Sequence, residues 1–169
     1  ARNEAGHIEQ LISRIPKMGS HTEIMFVEGN STDNTYEEIE AALKRHPQLD
    51  IKLYKQTGKG KGDAVRLGFE KATGDLLIIL DADITVPPED LPRFYQVLAS
   101  GDAEFVNGVR LVYPMEDKAM RFLNLLGNKF FSWMFSWLLG QPIRDTLCGT
   151  KALWKSDYQR IADGRNYFG

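Results

Sequence analysis

The sequence predicts an α/β fold with a mainly parallel central sheet, and three observations carry that expectation. Short apolar runs alternate with helical periodicities along the whole chain. The run Leu76-Leu77-Ile78-Ile79-Leu80 is continuously apolar, as befits a strand covered on both faces. The 169 residues fit one domain, 1–169, at roughly 100–200 residues per domain.

The elements follow in order. Ile8, Leu11, Ile12 and Ile15 line one helix face, and Pro16 ends it. Glu23 to Val27 is a short strand closed by Gly29 and Asn30. Tyr36, Ile39 and Leu43 mark a second helix, with Thr35 and Glu38 spaced as a capping box and Pro47 after its end. Ile51 and Leu53 define a strand reaching Gln56. The turn Gly58-Lys59-Gly60-Lys61-Gly62 opens a third helix carrying Ala64, Val65, Gly68, Phe69 and Ala72. After the Leu76 strand, Pro87 and Pro88 start a helix with Leu91, Phe94, Tyr95 and Leu98 inward. Ala103 to Val109 reads as a strand, 117–139 as an aromatic-rich helix broken near Gly127, 140–147 as a loop, and Cys148 to Trp154 as strand-like.

Composition narrows the function classes. A hydrophobic share of 43% with 26% charged residues argues against disorder. The net charge of −2 leaves no basic footprint, so a nucleic-acid polymer is not an expected partner. A single cysteine, Cys148, rules out an internal disulfide framework and fits a reducing compartment. No signal peptide opens the chain, and the apolar run from Phe130 to Leu139 is too short to cross a bilayer. Ala1-Arg2-Asn3-Glu4 enters a helix with no strand before it, and Tyr167-Phe168-Gly169 stops without a terminating element. The expectation is a piece of a longer protein, truncated at both ends.

The chemistry concentrates at Asp81-Ala82-Asp83. In an open α/β sheet ligands sit outside the carboxyl ends of the strands, which puts the loops after Val27, Gln56 and Leu80 on one rim. Two aspartates two positions apart point the same way in an extended backbone and repel unless a cation joins them. Mg²⁺ or Mn²⁺ suits that place, bridging Asp81 and Asp83 to a substrate diphosphate. A pair of solvated carboxylates capping the next helix is the bland alternative. Asp81-Ala82-Asp83-Ile84-Thr85 also fits the nucleophile motif of haloacid-dehalogenase-like phosphatases, with Asp81 attacking phosphorus.

Lined up, the loops resemble the family 2 glycosyltransferases, nearest their polyprenyl-phosphate, dolichol-phosphate mannose synthase-like branch. The motifs run in order through nearly the whole chain: Ala1-Arg2-Asn3-Glu4; Val27-Glu28-Gly29-Asn30-Ser31-Thr32-Asp33-Asn34-Thr35, with Gly29 where the family has a second acid; Gly60-Lys61-Gly62-Asp63-Ala64-Val65-Arg66; and Asp145-Thr146-Leu147-Cys148-Gly149-Thr150-Lys151. The resemblance implies a GT-A (Rossmann-like) three-layer sandwich and an inverting sugar transfer from a nucleoside-diphosphate sugar. It implies nucleotide-sugar contacts from Ala1, Asn3, Glu4, Glu28, Asn30, Ser31, Asp33, Lys61, Gly62, Asp81, Ala82 and Asp83, and acceptor contacts from Arg144, Asp145, Gly149 and Lys151. Asp83 and Asp145 are the expected catalytic carboxylates, Asp145 either a base or an anchor according to the acceptor. The expected acceptor is a polyprenyl phosphate or another glycan acceptor, met at the cytoplasmic face of a membrane. Aromatics at 130, 131, 133, 135 and 137 exceed what one helix face buries, so they rest on a bilayer or under a further C-terminal segment. A sugar nucleotidyltransferase and a non-catalytic nucleotide-sugar-binding fragment are the remaining alternatives.

Overall fold

Residues 1–109, 122–145, 148–162 and 164 are described in the computed structural model. The expected helical start at 117–121, Thr146, Leu147 and the end at 167–169 lie outside them. The order is α1 (Ile8–Arg14), β1 (Glu23–Glu28), α2 (Thr35–Arg45), β2 (Asp50–Lys55), α3 (Lys61–Lys71), β3 (Leu76–Ile79), α4 (Leu91–Ala99), β4 (Phe105–Asn107), α5 (Phe122–Leu139), β5 (Lys151–Trp154) and α6 (Lys155–Ala162). A 3-10 turn at Pro88–Asp90 leads into α4, because proline presets the first turn and gives up an N–H that would be unpaired anyway. α5 runs through Gly127 without the expected break.

Side-chain alternation along the strands builds three layers. Ile24 and Phe26 of β1 meet Ile8, Leu11 and Ile12 of α1 and Ile39 and Ala42 of α2. Leu76 and Ile78 of β3 and Ala152 of β5 turn to Phe94 and Leu98 of α4. Met25, Leu77 and Leu153 point the opposite way, onto Phe69 and Ala72 of the α3 end and Tyr158 of α6. Ile8, Ile39 and Leu98 are fully buried, and truncating any one to alanine costs roughly 2–5 kcal/mol.

The α/β class stands, and its parallel part is β1 with β2, paired from Glu23↔Asp50 to Glu28↔Lys55. β5 adds antiparallel pairs: it lies between β3 and β4 and runs against both. β3 and β4 therefore point the same way, with α4 as their crossover. β5 takes the place between them by returning from the loop at the strand tips, which brings residues 148–151 to the rim. β1 and β3 face each other across a cleft lined by Glu23, Met25 and Val27 on one side and Leu76, Ile78 and Leu80 on the other. At its upper end Ala1 lies parallel to β1, its N donating to Val27 O at 2.9 Å and its O accepting from Gly29 N at 2.9 Å.

Candidate active site

β3 ends on the aspartates, but in a turn. Ile84 N donates to Asp81 O at 3.3 Å, so residues 81–84 fold back and strand alternation does not aim the two carboxylates. The reason is local. Ala82 is buried in the α1–α2 core and Ile84 packs against it, which pulls the chain off the strand line. Ile84 takes φ +57°, a conformation costly for a β-branched residue and sustained here by that packing. Asp83 is exposed, with Oδ1 accepting from Thr85 N at 3.0 Å, while Ala82 supports the turn from within.

Three of the sequence motifs meet at Asp81. Lys61, the first residue of α3, donates from Nζ to Asp81 Oδ1. Gly60, at φ +82°, lets the chain turn into that helix. Gly149 lies against the pair: a Cβ there would overlap Asp81 Oδ2 and Lys61 Nζ and stand 2.7 Å from Asp81 Cγ. A side chain there could enter only by displacing that pair. Gly62 is different, since a Cβ there would meet only the Arg66 guanidinium at an ordinary 3.7 Å.

The first residues are stitched onto the loop after β1. Ser31 Oγ accepts from Asn3 N at 3.0 Å, Thr35 Oγ1 from Glu4 N at 2.9 Å, Asp33 Oδ2 from Ala5 N at 3.4 Å and Glu38 Oε2 from Gly6 N at 2.7 Å. Asn3 Oδ1 answers by accepting from Thr32 N at 2.8 Å. The expected capping box does not form: Asn34 takes the cap position, Thr35 Oγ1 accepts from Glu4, and Glu38 divides its oxygens between the Gly6 amide and the Asn34 side chain. Asp33 accepts from the Thr35 hydroxyl and amide, and that bonding holds its carboxyl below the usual range.

Glu28 is 1% exposed, so it lies under the loop. Burial pushes its pKa up, but bonds from Ser31 and the Asn30 amide win and hold it ionised. Asn30, at φ +57°, reaches the Gln56 carbonyl at 3.5 Å. Gly29 stands where the family has an acid, and a Cβ there would come within 3.2 Å of Gln56 Oε1 and 3.3 Å of Arg2 Cβ.

On the other side Asp145 is fully buried, its Oδ1 accepting from Cys148 N at 3.1 Å. Lys151 Nζ donates to the Cys148 carbonyl at 2.6 Å and to Asn107 Oδ1 at 2.8 Å. Burial lowers its pKa, and the nearby Lys61 lowers it further against the pull of Asp145 and Asp81. Cys148 is buried with its Sγ on the Thr150 carbonyl, a packed residue as expected. Arg144 is exposed at the edge.

Sequence reasoning missed Gln56, Asp63 and Asn107. Gln56 is buried and donates to Gly60 O at 2.7 Å and Asp63 Oδ2 at 3.0 Å, fixing the turn that presents Lys61. A polar residue closing a strand just before a glycine-rich turn was the available signal. Among the described residues no three His, Cys, Asp or Glu side chains converge as a metal cage. Asp81 and Asp83 on one turn still fit Mg²⁺ or Mn²⁺, which take one or two carboxylates and complete their shell with waters and phosphates. The Lys61 ammonium on Asp81 marks the place as one that draws a cation.

A carboxylate turn paired with a lysine at a helix start, beside a stitched loop on the same rim, has the chemistry to receive a phosphate-bearing ligand. Residues 1–158 match the family described as Glycosyl transferase family 2, and the chain belongs to it. It is 35% identical over 101 residues to a dolichol-phosphate mannosyltransferase of Pyrococcus furiosus, covering 59% of this chain and 28% of that protein. An undecaprenyl-phosphate 4-deoxy-4-formamido-L-arabinose transferase of Shewanella sediminis is 35% identical over 95 residues, 54% of this chain and 29% of its own. Among solved structures, a mannosyltransferase of Pyrobaculum calidifontis in complex with GDP-mannose and Mn²⁺ matches at TM-score 0.56 and 30% identity, over 64% of this chain and 33% of that one. Glucosyl-3-phosphoglycerate synthase of Mycobacterium tuberculosis shares the fold at TM-score 0.70 and 21% identity, over 92% of this chain and 55% of that one. The chain spans less than half the length of the curated relatives it matches here. These findings bear out the GT-A fold and the polyprenyl-phosphate branch of the family, and they overrule the phosphatase alternative.

Proposed function

We propose that this chain forms the donor and acceptor rims of a glycosyltransferase that moves a sugar from a nucleoside-diphosphate sugar to a polyprenyl phosphate, with inversion. The observation that carries the reading is the junction of Lys61, Asp81 and Gly149, where three separate motifs of a family 2 chain touch. Ala1, Asn3, Glu4 and the 28–33 loop frame the nucleotide. Asn3, Ser31 and Asp33 shape that frame, and Glu28 holds it from beneath. Lys61 and the start of α3 meet the diphosphate. Mg²⁺ or Mn²⁺ on Asp81 and Asp83 would offset the charge on the departing diphosphate.

An acceptor phosphate oxygen attacks the sugar's anomeric carbon as the bond to the diphosphate breaks. A phosphate monoester, with a second pKa about 6, is already largely dianionic at neutral pH and needs no base. The full burial of Asp145 supports its role as an anchor of the acceptor segment. Lys151, with Arg144 nearby, then receives the acceptor's charge. Trp133 and Trp137 of α5 are 69% and 78% exposed, and we place this face on the cytoplasmic surface of the membrane that holds the acceptor. Among the described residues no helix is long and apolar enough to cross it.

Titration calorimetry on the full-length protein tests the donor reading: a nucleoside diphosphate binds with Mn²⁺ present and weakly without it. Absence of metal-dependent binding across a panel of nucleoside diphosphates would falsify the proposal.

A further inference from the structure

β4 ends on an asparagine, a residue type depleted in strands, and both its side-chain amide nitrogen and its oxygen are bonded. Asn107 and Lys151 are direct antiparallel partners in the β4–β5 register, which puts their side chains on the same face of the sheet. Asn107 Nδ2 donates to the Asp145 carbonyl at 2.7 Å, and its Oδ1 accepts from Lys151 Nζ at 2.8 Å. One carboxamide thus grips the first and last residues of the 145–151 segment. The next residue, Gly108, lets Cys148 and Thr150 lie close against the strand end. A Cβ there would be 2.8 Å from Cys148 Sγ and 3.1 Å from Thr150 O, and Gly108 N donates to Thr150 O at 2.9 Å.

The consequence falls on Lys151. An ammonium has three N–H donors. Among the described residues Asn107 and the Cys148 carbonyl accept two, which leaves one for an anion. A free lysine sweeps a wide arc on its flexible stem, whereas this one is held at two points. The geometry points to Asn107 as the positioning residue of the acceptor rim: it closes the 145–151 segment and sets where the Lys151 ammonium meets the acceptor phosphate. This rests on the proposed function for the identity of the anion, but the closure of the segment does not.

Two variants of the full-length enzyme test it. Asn107→Asp keeps the shape, loses the donor to Asp145 and sets a carboxylate against Lys151; Asn107→Ala removes both grips. The expected result is a rise of about 10-fold in the KM for the polyprenyl phosphate in each, the size set by one hydrogen bond to a charged group. kcat and the donor's Kd stay within about twofold of wild type, and Asn107→Ala speeds deuterium uptake across residues 148–151. An unchanged acceptor KM in both variants, with only a lower Tm in Asn107→Ala, reduces Asn107 to a fold residue and overturns the proposal. Failure of wild type to use any polyprenyl phosphate sinks the functional reading instead. In that case unchanged deuterium uptake in Asn107→Ala overturns the positioning role, and faster uptake sustains it.

Discussion

The two rims of the site are held in opposite ways. On the proposed donor side, six hydrogen bonds link residues 3–6 to the loop and helix after β1, each from a different donor group. On the proposed acceptor side, among the described residues, one carboxamide, Asn107, bonds both Asp145 and Lys151, backed by the Gly108 amide on the Thr150 carbonyl. Distributed bonding tolerates the loss of any one member, since a typical hydrogen bond contributes about 1 kcal/mol net. Concentrated bonding does not. The first rim is suited to a rigid nucleotide, and the second can be retuned through one position.

The largest effect is expected where the rims meet. Asp81→Asn and Asp83→Asn should each lower kcat by about 10²–10³-fold, since a metal contributes several kcal/mol of charge stabilisation. Mn²⁺ titrations of the variants check this, and an unaltered Mn²⁺ dependence would remove both residues from the metal site.

A contrast comes from Glu23 at the far end of β1, outside both rims. Burial raises its pKa, but bonds from the Gly74 amide, Lys52 and the Thr73 amide and hydroxyl bring it down to about 2. The folded pKa lies below the unfolded one, so its contribution is fully present above about pH 4.5 and is lost as pH falls toward 2. Glu23→Gln should flatten that acid limb and cost at most about 3 kcal/mol at neutral pH, read from urea unfolding at several pH values. Nucleotide binding at neutral pH should not change.

Gly149→Ala breaks the comparison at its seam. Its methyl would overlap the Lys61–Asp81 pair, so the donor's Kd should rise about 10-fold although the residue belongs to the acceptor segment. Unaltered donor affinity would show that the segment yields without disturbing the pair. Among the rim variants, the smallest effect on binding tests distributed bonding directly. Thr35→Val strands the Glu4 amide and removes the hydroxyl's bond to Asp33, and should cost about 2 kcal/mol, lowering Tm by several degrees with donor affinity nearly intact. A loss of donor binding as large as that of Gly149→Ala would refute the distributed picture.

The fold and its motifs could be read from the sequence because they rest on short-range rules. Apolar runs and helical spacing gave α1, β1, α2, β2, α3 and β3 within a residue or two, whereas α4 begins at Leu91, behind a 3-10 turn at the expected start. What escaped depends on tertiary partners. The direction of β5 follows from its place between β3 and β4, not from residues 151–154 themselves. The turn at 81–84 follows from the burial of Ala82 and the packing of Ile84, against the extended geometry that two alternate aspartates suggest. Thr35 and Glu38 carried a capping pattern and were taken by residues 4 and 6 instead. Asn107 and Gln56 carry no motif, since an amide's value lies in what it bonds on both sides.

Gly149 belongs to one rim by sequence and touches the other by contact. Binding at either rim that moves this backbone would therefore carry a free-energy linkage between the two proposed substrates. Thermodynamics makes such a linkage reciprocal: the factor by which the donor alters acceptor affinity is the factor by which the acceptor alters the donor's. In the proposed enzyme, a bare α-carbon set against the Lys61–Asp81 pair is the place where the two equilibria would meet.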